Sequence, residues 1–131
     1  MAAPLTLKTA FVALAVTDWE RAIAFYQGFL GQAPALHQPQ RYGEFHLPGL
    51  RLGLFLPQAD QADTFARATS SPMSLCLEVA DLAAAIARLT ALGYPPPGNI
   101  LTASHGQEIY AYDPDGNRLI LHQAPPSPAG R

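Results

Sequence analysis

The run from Phe11 to Val16 reads FVALAV, with Val12, Leu14 and Val16 alternating against Phe11, Ala13 and Ala15. A short apolar run of period two predicts a strand. The next four residues, TDWE at 17–20, read as a capping box. In it Thr17 accepts from the backbone at Glu20 while the Glu20 side chain reaches back. Trp19, Ala22, Ile23, Tyr26 and Leu30 then recur at helical spacing, and Gly31 supplies a stop.

The same pattern returns. SLCLEV at 74–79 alternates, Asp81 stands where Asp18 stood, and Val79, Ala85, Ile86 and Ala87 match Val16, Ala22, Ile23 and Ala24 at a shift of 63. Gly93 ends the second helix one residue short of that register. GLRLGL at 49–54 matches GNRLIL at 116–121 at a shift of 67. Two blocks in one order at nearly equal shifts indicate an internal duplication. Further strands are predicted over roughly 34–38, 41–47 and 50–56, and again over 98–103, 107–113 and 118–123. Each half is then strand, helix and three strands: module one over about 9–56, module two over about 72–123. The stretch 57–71 reads as a linker, and the proline-rich tail 124–131 as irregular.

The segment YDPDGN at 112–117 resembles a calcium loop at first sight. An EF-hand needs glycine sixth and glutamate twelfth, whereas Gly116 is fourth from Asp113 and the twelfth residue is Ala124. A tight turn fits better, with Pro114 fixing φ and with Gly116 and Asn117 tolerating positive φ. It sets the register of Arg118 to His122.

Composition narrows the classes. The chain has 131 residues, 49% hydrophobic and 14% charged, with a net charge of −2. That suits one globular domain. Lys8 is the only lysine, so no basic stripe invites nucleic acid. Cys76 is the only cysteine, which excludes an internal disulfide and fits a reducing compartment. No apolar run is long enough to cross a membrane, and the first residues lack signal-peptide character. A cytoplasmic location is expected.

The duplicated unit, the Val16-to-Gly31 pattern V-x-D…A-I-x-F-Y…L-G and the YDPDGN segment together resemble the vicinal oxygen chelate superfamily. That superfamily includes glyoxalase I, extradiol dioxygenases, fosfomycin-resistance transferases and bleomycin-resistance proteins. The resemblance spans about residues 9–123. It implies an α+β fold: two tandem βαβββ modules forming a curved mixed sheet around a cleft, helices outside. It also implies a homodimer, with modules pairing within a chain or between chains.

In metal-dependent members, four side chains from the first and last strands of each module hold one divalent ion. The resemblance carries those places to Phe11, Gly53, Ser74 and Ile120. Phenylalanine, glycine and isoleucine offer no side-chain lone pair, and a serine hydroxyl is a poor ligand for such a site. The expectation is therefore no metal and no cofactor. Strand parity sends Phe11, Arg51, Phe55, Ser74, Cys76, Glu78, Arg118, Ile120 and His122 to the concave face, with Glu44, His46, Glu108, Tyr110 and Tyr112 beside them. This describes a small-molecule cleft with an apolar floor and a polar rim. His105, in the loop SHGQE, is a further contact residue or an ordinary loop residue.

Glu78, His46 and Tyr110 are the candidates for acid/base work. Glu78 could equally pair with Arg51 or Arg118, or sit in solvent at a strand end. The two histidines could join Glu44 or Glu78 in an unusual metal site, though no ligand spacing supports it. Cys76 reads as an inert core thiol, and Trp19 and Tyr26 as core or an oligomer face. Three functions remain: a metal-independent protein binding an unidentified small molecule, a glyoxalase- or dioxygenase-type enzyme, and a structural dimer without ligand. Absence of the four ligands weighs against metal-activated chemistry and leaves binding first.

Overall fold

A computed structural model describes residues 4–66 and 71–126. The order of elements is β1 (Val12–Ala15), α1 (Trp19–Leu30), β2 (Leu36–Gln38), β3 (Tyr42–Leu47) and β4 (Leu50–Phe55), then β5 (Leu75–Glu78), α2 (Leu82–Leu92), β6 (Leu101–Ala103), β7 (Gly106–Tyr112) and β8 (Arg118–Gln123). The fold is α+β with two βαβββ modules, as the periodicity requires. The linker carries a 3-10 helix, Ala59–Phe65, which its composition did not announce.

The strands form two separate four-stranded mixed sheets, ordered β1-β4-β3-β2 and β5-β8-β7-β6. In each, the first strand runs parallel to the last, and the other pairings are antiparallel. The duplication shows in the register: Val12 faces Leu52 as Leu75 faces Leu119. Leu52, Leu54, Leu119 and Leu121 are fully buried, each such side chain contributing about 1.5–3 kcal/mol. Their alternating partners face the other way.

The caps refine the expectation for α1. Asp18, not Thr17, caps the helix, its carboxylate accepting from the Arg21 N–H at 3.2 Å. Thr17 is drawn elsewhere: its backbone N–H and its hydroxyl both donate to Asp115 of module two, at 2.9 and 2.7 Å. Asp81 caps α2 in the same way. Gly31 and Gly93 end the two helices at φ 72° and 97°, a left-handed geometry that glycine adopts without steric cost.

The modules meet through their helices. α1 comes so near α2 at Gly28 that an added Cβ would lie 2.8 Å from a Leu92 methyl. Arg88 donates to the Gly28 carbonyl at 2.6 Å, and Phe25 meets Tyr94 edge-on. Trp19 and Tyr26 are core residues of one apolar cluster drawn from both modules. Tyr26 donates its hydroxyl to buried Asp113 at 2.7 Å. Asp113 also accepts from the N–H groups of Asp115 and Asn117 and from the Asn117 amide. YDPDGN is thus a turn, as expected, and also the clasp between modules. Gly116 takes φ 87° there, while Asn117 keeps negative φ and serves as a donor.

Candidate functional site

On the first sheet, β3 alternation puts Tyr42, Glu44 and His46 on the face away from α1. The register sets them opposite Phe55, Gly53 and Arg51. Glu44 is buried there with three partners. Tyr42 donates to Oε2 at 2.6 Å, His46 Nε2 lies 2.7 Å from Oε1, and an Arg51 nitrogen lies 3.6 Å from Oε1. The Tyr42 and His46 hydrogen bonds, with Arg51 behind them, hold the Glu44 carboxyl below its ordinary pKa. Burial first, and then the Glu44 carboxylate, push the Tyr42 phenol up to about 12. Gly53 makes this possible, because a Cβ there would lie 2.7 Å from the Tyr42 hydroxyl. Arg51 also stacks over the Phe11 ring, 4.8 Å from its centre.

The second sheet carries a different cluster. Glu78 and His122 are register partners on β5 and β8, and His122 Nδ1 lies 2.8 and 2.9 Å from the two Glu78 oxygens. His122 Nε2 lies 2.9 Å from the His105 carbonyl and 3.2 Å from His105 Nδ1. Acceptors on both sides of the ring favour its doubly protonated form. The Glu78 hydrogen bond, then the His105 carbonyl and the Glu78 and Glu108 charges, raise the His122 pKa against opposing desolvation.

Several expectations change here. Glu78 pairs with His122 rather than an arginine, because β5–β8 register sets them side by side. Arg51 goes to Glu44, and Arg118 to Ser74, donating from Nε to the hydroxyl at 2.7 Å. Arg118 also donates to the carbonyls of Ser71, Pro72 and Met73, closing the segment before β5 onto β8. Cys76 is an exposed thiol rather than a core one, since its strand face is open to solvent. His46 and His122 each hold a different glutamate, and among the described residues no three His, Cys, Asp or Glu side chains converge on a metal-sized site.

The structure divides the expected cleft residues. His46, Arg51 and Phe55 lie on the first sheet, with Phe11 beside them just before β1. Cys76, Glu78, Tyr110, Ile120 and His122 lie on the second, with His105 in the turn before β7. A cavity of about 470 Å³ beside β1 brings Phe11, Ser74 and Arg118 together, walled by Leu14, Phe65 and Met73. Its volume falls within the usual range for small-molecule sites. Sequence reading missed Phe65, which lies in the linker, where no periodicity assigns a face, and Met73, which stands just ahead of the SLCLEV alternation and shares in no pattern. It also missed Tyr42, whose place follows only once Gly53 is known to lie opposite Glu44.

A family model for the glyoxalase/bleomycin resistance protein/dioxygenase superfamily matches residues 8–121. The chain belongs to this superfamily. Solved structures agree with that membership. A glyoxalase-related enzyme from Fulvimarina pelagi is 27% identical, with 95% of this chain and 96% of that chain covered and a TM-score of 0.73. A glyoxalase/bleomycin resistance protein from Albidiferax ferrireducens is 20% identical over 89% and 98% of the two chains, with a TM-score of 0.70. The fosfomycin resistance protein FosX from Listeria monocytogenes, solved with Mn(II) and sulfate, is 19% identical over 92% and 93%, with a TM-score of 0.69. At that identity, the last two likenesses concern the fold alone. No curated protein matches the chain by sequence.

Superfamily membership raises the metal question again, and the side chains at the four carried-over places do not fit one. Phe11 lies under Arg51. The space above Gly53 holds the Tyr42 ring. The Ser74 hydroxyl accepts from Arg118, and Ile120 has no donor atom. Among the described residues no helix is long and apolar enough to cross a membrane.

Proposed function

We propose that this superfamily member is a small-molecule-binding protein that works without the divalent ion of its metal-dependent relatives. The observation that carries the reading is the cavity beside β1. It opens onto two of the four carried-over places, Phe11 and Ser74, and both are closed to a metal by their own neighbours. Its walls are mainly apolar, with Arg118, Ser74 and Asn117 as directed polar groups, which suits a compact, partly apolar ligand. Two measurements test this. Protein purified without chelator should contain no stoichiometric zinc, nickel, iron or manganese; a near-equimolar content of any of them overturns the metal-free reading. A thermal-shift screen should yield compounds that raise the melting temperature, as selective binding to the folded state must. Leu14→Trp, which fills the cavity, should abolish that shift.

Two further parts of the reading concern the setting. A homodimer is supported by apolar side chains left in solvent on the second sheet, including Leu101, Tyr110 and Tyr112. Light scattering should then give twice the chain mass. A cytoplasmic location is supported by the unpaired, exposed Cys76 thiol, which a reducing compartment preserves. A specific observation also favours an enzymatic reading: the carboxylate–imidazole pair on the first sheet.

A further inference from the structure

We propose that Glu44 and His46 form a metal-free hydrolytic dyad, in which His46 Nδ1 is the base that activates water against a small carboxylic ester or lactone. The inference goes beyond binding, and rests on that reading only in that a small molecule must reach the first sheet. Its basis is an asymmetry in how the two side chains are held. Glu44 is buried and fixed from three sides, whereas the His46 side chain is 55% exposed. Glu44 Oε1 engages Nε2 of the imidazole at 2.7 Å. With Nε2 donating its proton, the lone pair falls on Nδ1, which no described residue engages. A buried carboxylate behind an imidazole fixes the tautomer and stabilises the imidazolium that forms when a proton is taken up.

The neighbours set the reaction class. Arg51 lies across the strand pair from His46, its guanidinium held by Glu44, by Thr9 and over the Phe11 ring. That places a fixed positive charge beside the base, where an oxyanion would develop. A carbanion or enolate needs a site shielded from water. This face is open, so chemistry in which water is the co-reactant suits it. Leu36 and Phe55 share the face and offer contact for an apolar acyl group.

The step balances without an oxidant or reductant. His46 Nδ1 takes a proton from water as the water oxygen bonds to the acyl carbon. The carbonyl π pair moves onto oxygen, facing Arg51. Collapse of that oxyanion breaks the acyl C–O bond, and the imidazolium returns its proton to the leaving alkoxide. A carboxylic acid and an alcohol result. His46 is the catalytic residue and Glu44 a positioning residue.

The experiment uses the full chain with phenyl butanoate, an ester less activated than a nitrophenyl one, and liberated phenol is followed. Wild type should turn over above buffer, and His46→Gln should lose about 10²–10⁴-fold in kcat, the usual worth of a general base. Glu44→Gln should lower kcat with little change in KM, whereas His37→Gln should leave the rate unchanged. Should Glu44→Gln fail to fold, Tyr42→Phe loosens the same carboxylate. Native wild type gives a second readout: diethyl pyrocarbonate should modify His46 faster than any other histidine. No turnover, or turnover that survives His46→Gln, overturns the dyad. Ligands that stabilise the protein without ester turnover would leave the binding reading standing and remove only this one.

Discussion

Replacing Asp113 by alanine removes the hub of the clasp between modules, and its cost follows from the geometry. The carboxylate is 4% exposed and accepts four hydrogen bonds, from Tyr26, Asp115 and twice from Asn117. Three of those donors hold the turn together, and the fourth comes from α1 of module one. Tyr26 is fully buried, so its hydroxyl finds no water when the carboxylate is gone. Burial, and then the Asp113 charge, already hold that phenol well above its ordinary pKa, so ionisation offers no relief. An unmade buried donor costs about 1–3 kcal/mol, and the turn loses charged hydrogen bonds as well, giving a total of about 4 kcal/mol. For a chain of this length that corresponds to a fall in Tm of roughly 10–20 °C.

Tyr26→Phe supplies the control. It deletes one hydrogen bond to a charged acceptor and leaves Asp113 three others, so the loss should be about 1.5 kcal/mol. The two substitutions share a bond, and the double variant should cost less than their sum by about 1 kcal/mol or more. Urea unfolding followed by circular dichroism measures all four proteins, with equal slopes confirming that stability alone has changed. If Asp113→Ala costs no more than Tyr26→Phe, or if the two simply add, the clasp is not an energetic link between modules.

Acid should find the first-sheet cluster. Because the folded-state pKa of Glu44 is depressed, its contribution is present above the unfolded value of about 4.3 and is lost as pH falls through the folded one. Wild type should therefore lose more stability in acid than Glu44→Gln, and matching urea midpoints across that range would contradict this. His122 has the opposite sign: with a raised folded pKa, its contribution is complete below about 6.5 and fades as pH rises through the folded value. Nitrogen-15 shifts of His122 should give a titration midpoint above that of a free imidazole, and Glu78→Gln should lower it. Gly106 takes φ 127°, and a Cβ there would run into the Gln123 carbonyl and approach the His122 ring. Gly106→Ala should cost about 2 kcal/mol or more and detach His105 from His122; a variant with wild-type Tm would refute the close approach.

Whatever repeats or has a period was legible in the chain. The shifts of 63 and 67 show again in the matching β1–β4 and β5–β8 registers. The two stop glycines cap as their positions suggested. Thr17 misled because Thr17 and Asp18 are both good capping residues, and only the distant Asp115 decides which is free to cap. The partners of Glu78, Arg51 and Arg118 were equally out of reach. Charge complementarity allowed several pairings, and the register between distant strands, which residue order along the chain does not contain, selects one. The exposure of Cys76 depended on how far the sheets leave their outer faces open, a matter of tertiary arrangement that period two cannot report.

In their last strands the two modules have kept the inward residues and, Arg51 and Arg118 apart, changed the outward ones, and this bears on what a metal centre at those places would disturb. Leu52 and Leu54 match Leu119 and Leu121, all fully buried against helices. On the opposite faces, Gly53 matches Ile120, and Phe55 matches His122. Each change has drawn in a local partner. A carboxylate placed at 53 would meet Tyr42, whose hydroxyl is itself bound to Glu44. A ligand at 74 would take the acceptor from Arg118, which also donates to the Pro72 carbonyl. Reversal at one place therefore strands a buried or half-buried polar group at another, each at about 1–3 kcal/mol. Two such changes together remove about 2–6 kcal/mol from a domain whose whole stability is about 5–15 kcal/mol. On the proposed metal-free reading, any chemistry this chain performs is to be sought in the groups fixed there, Glu44 with His46 and Glu78 with His122.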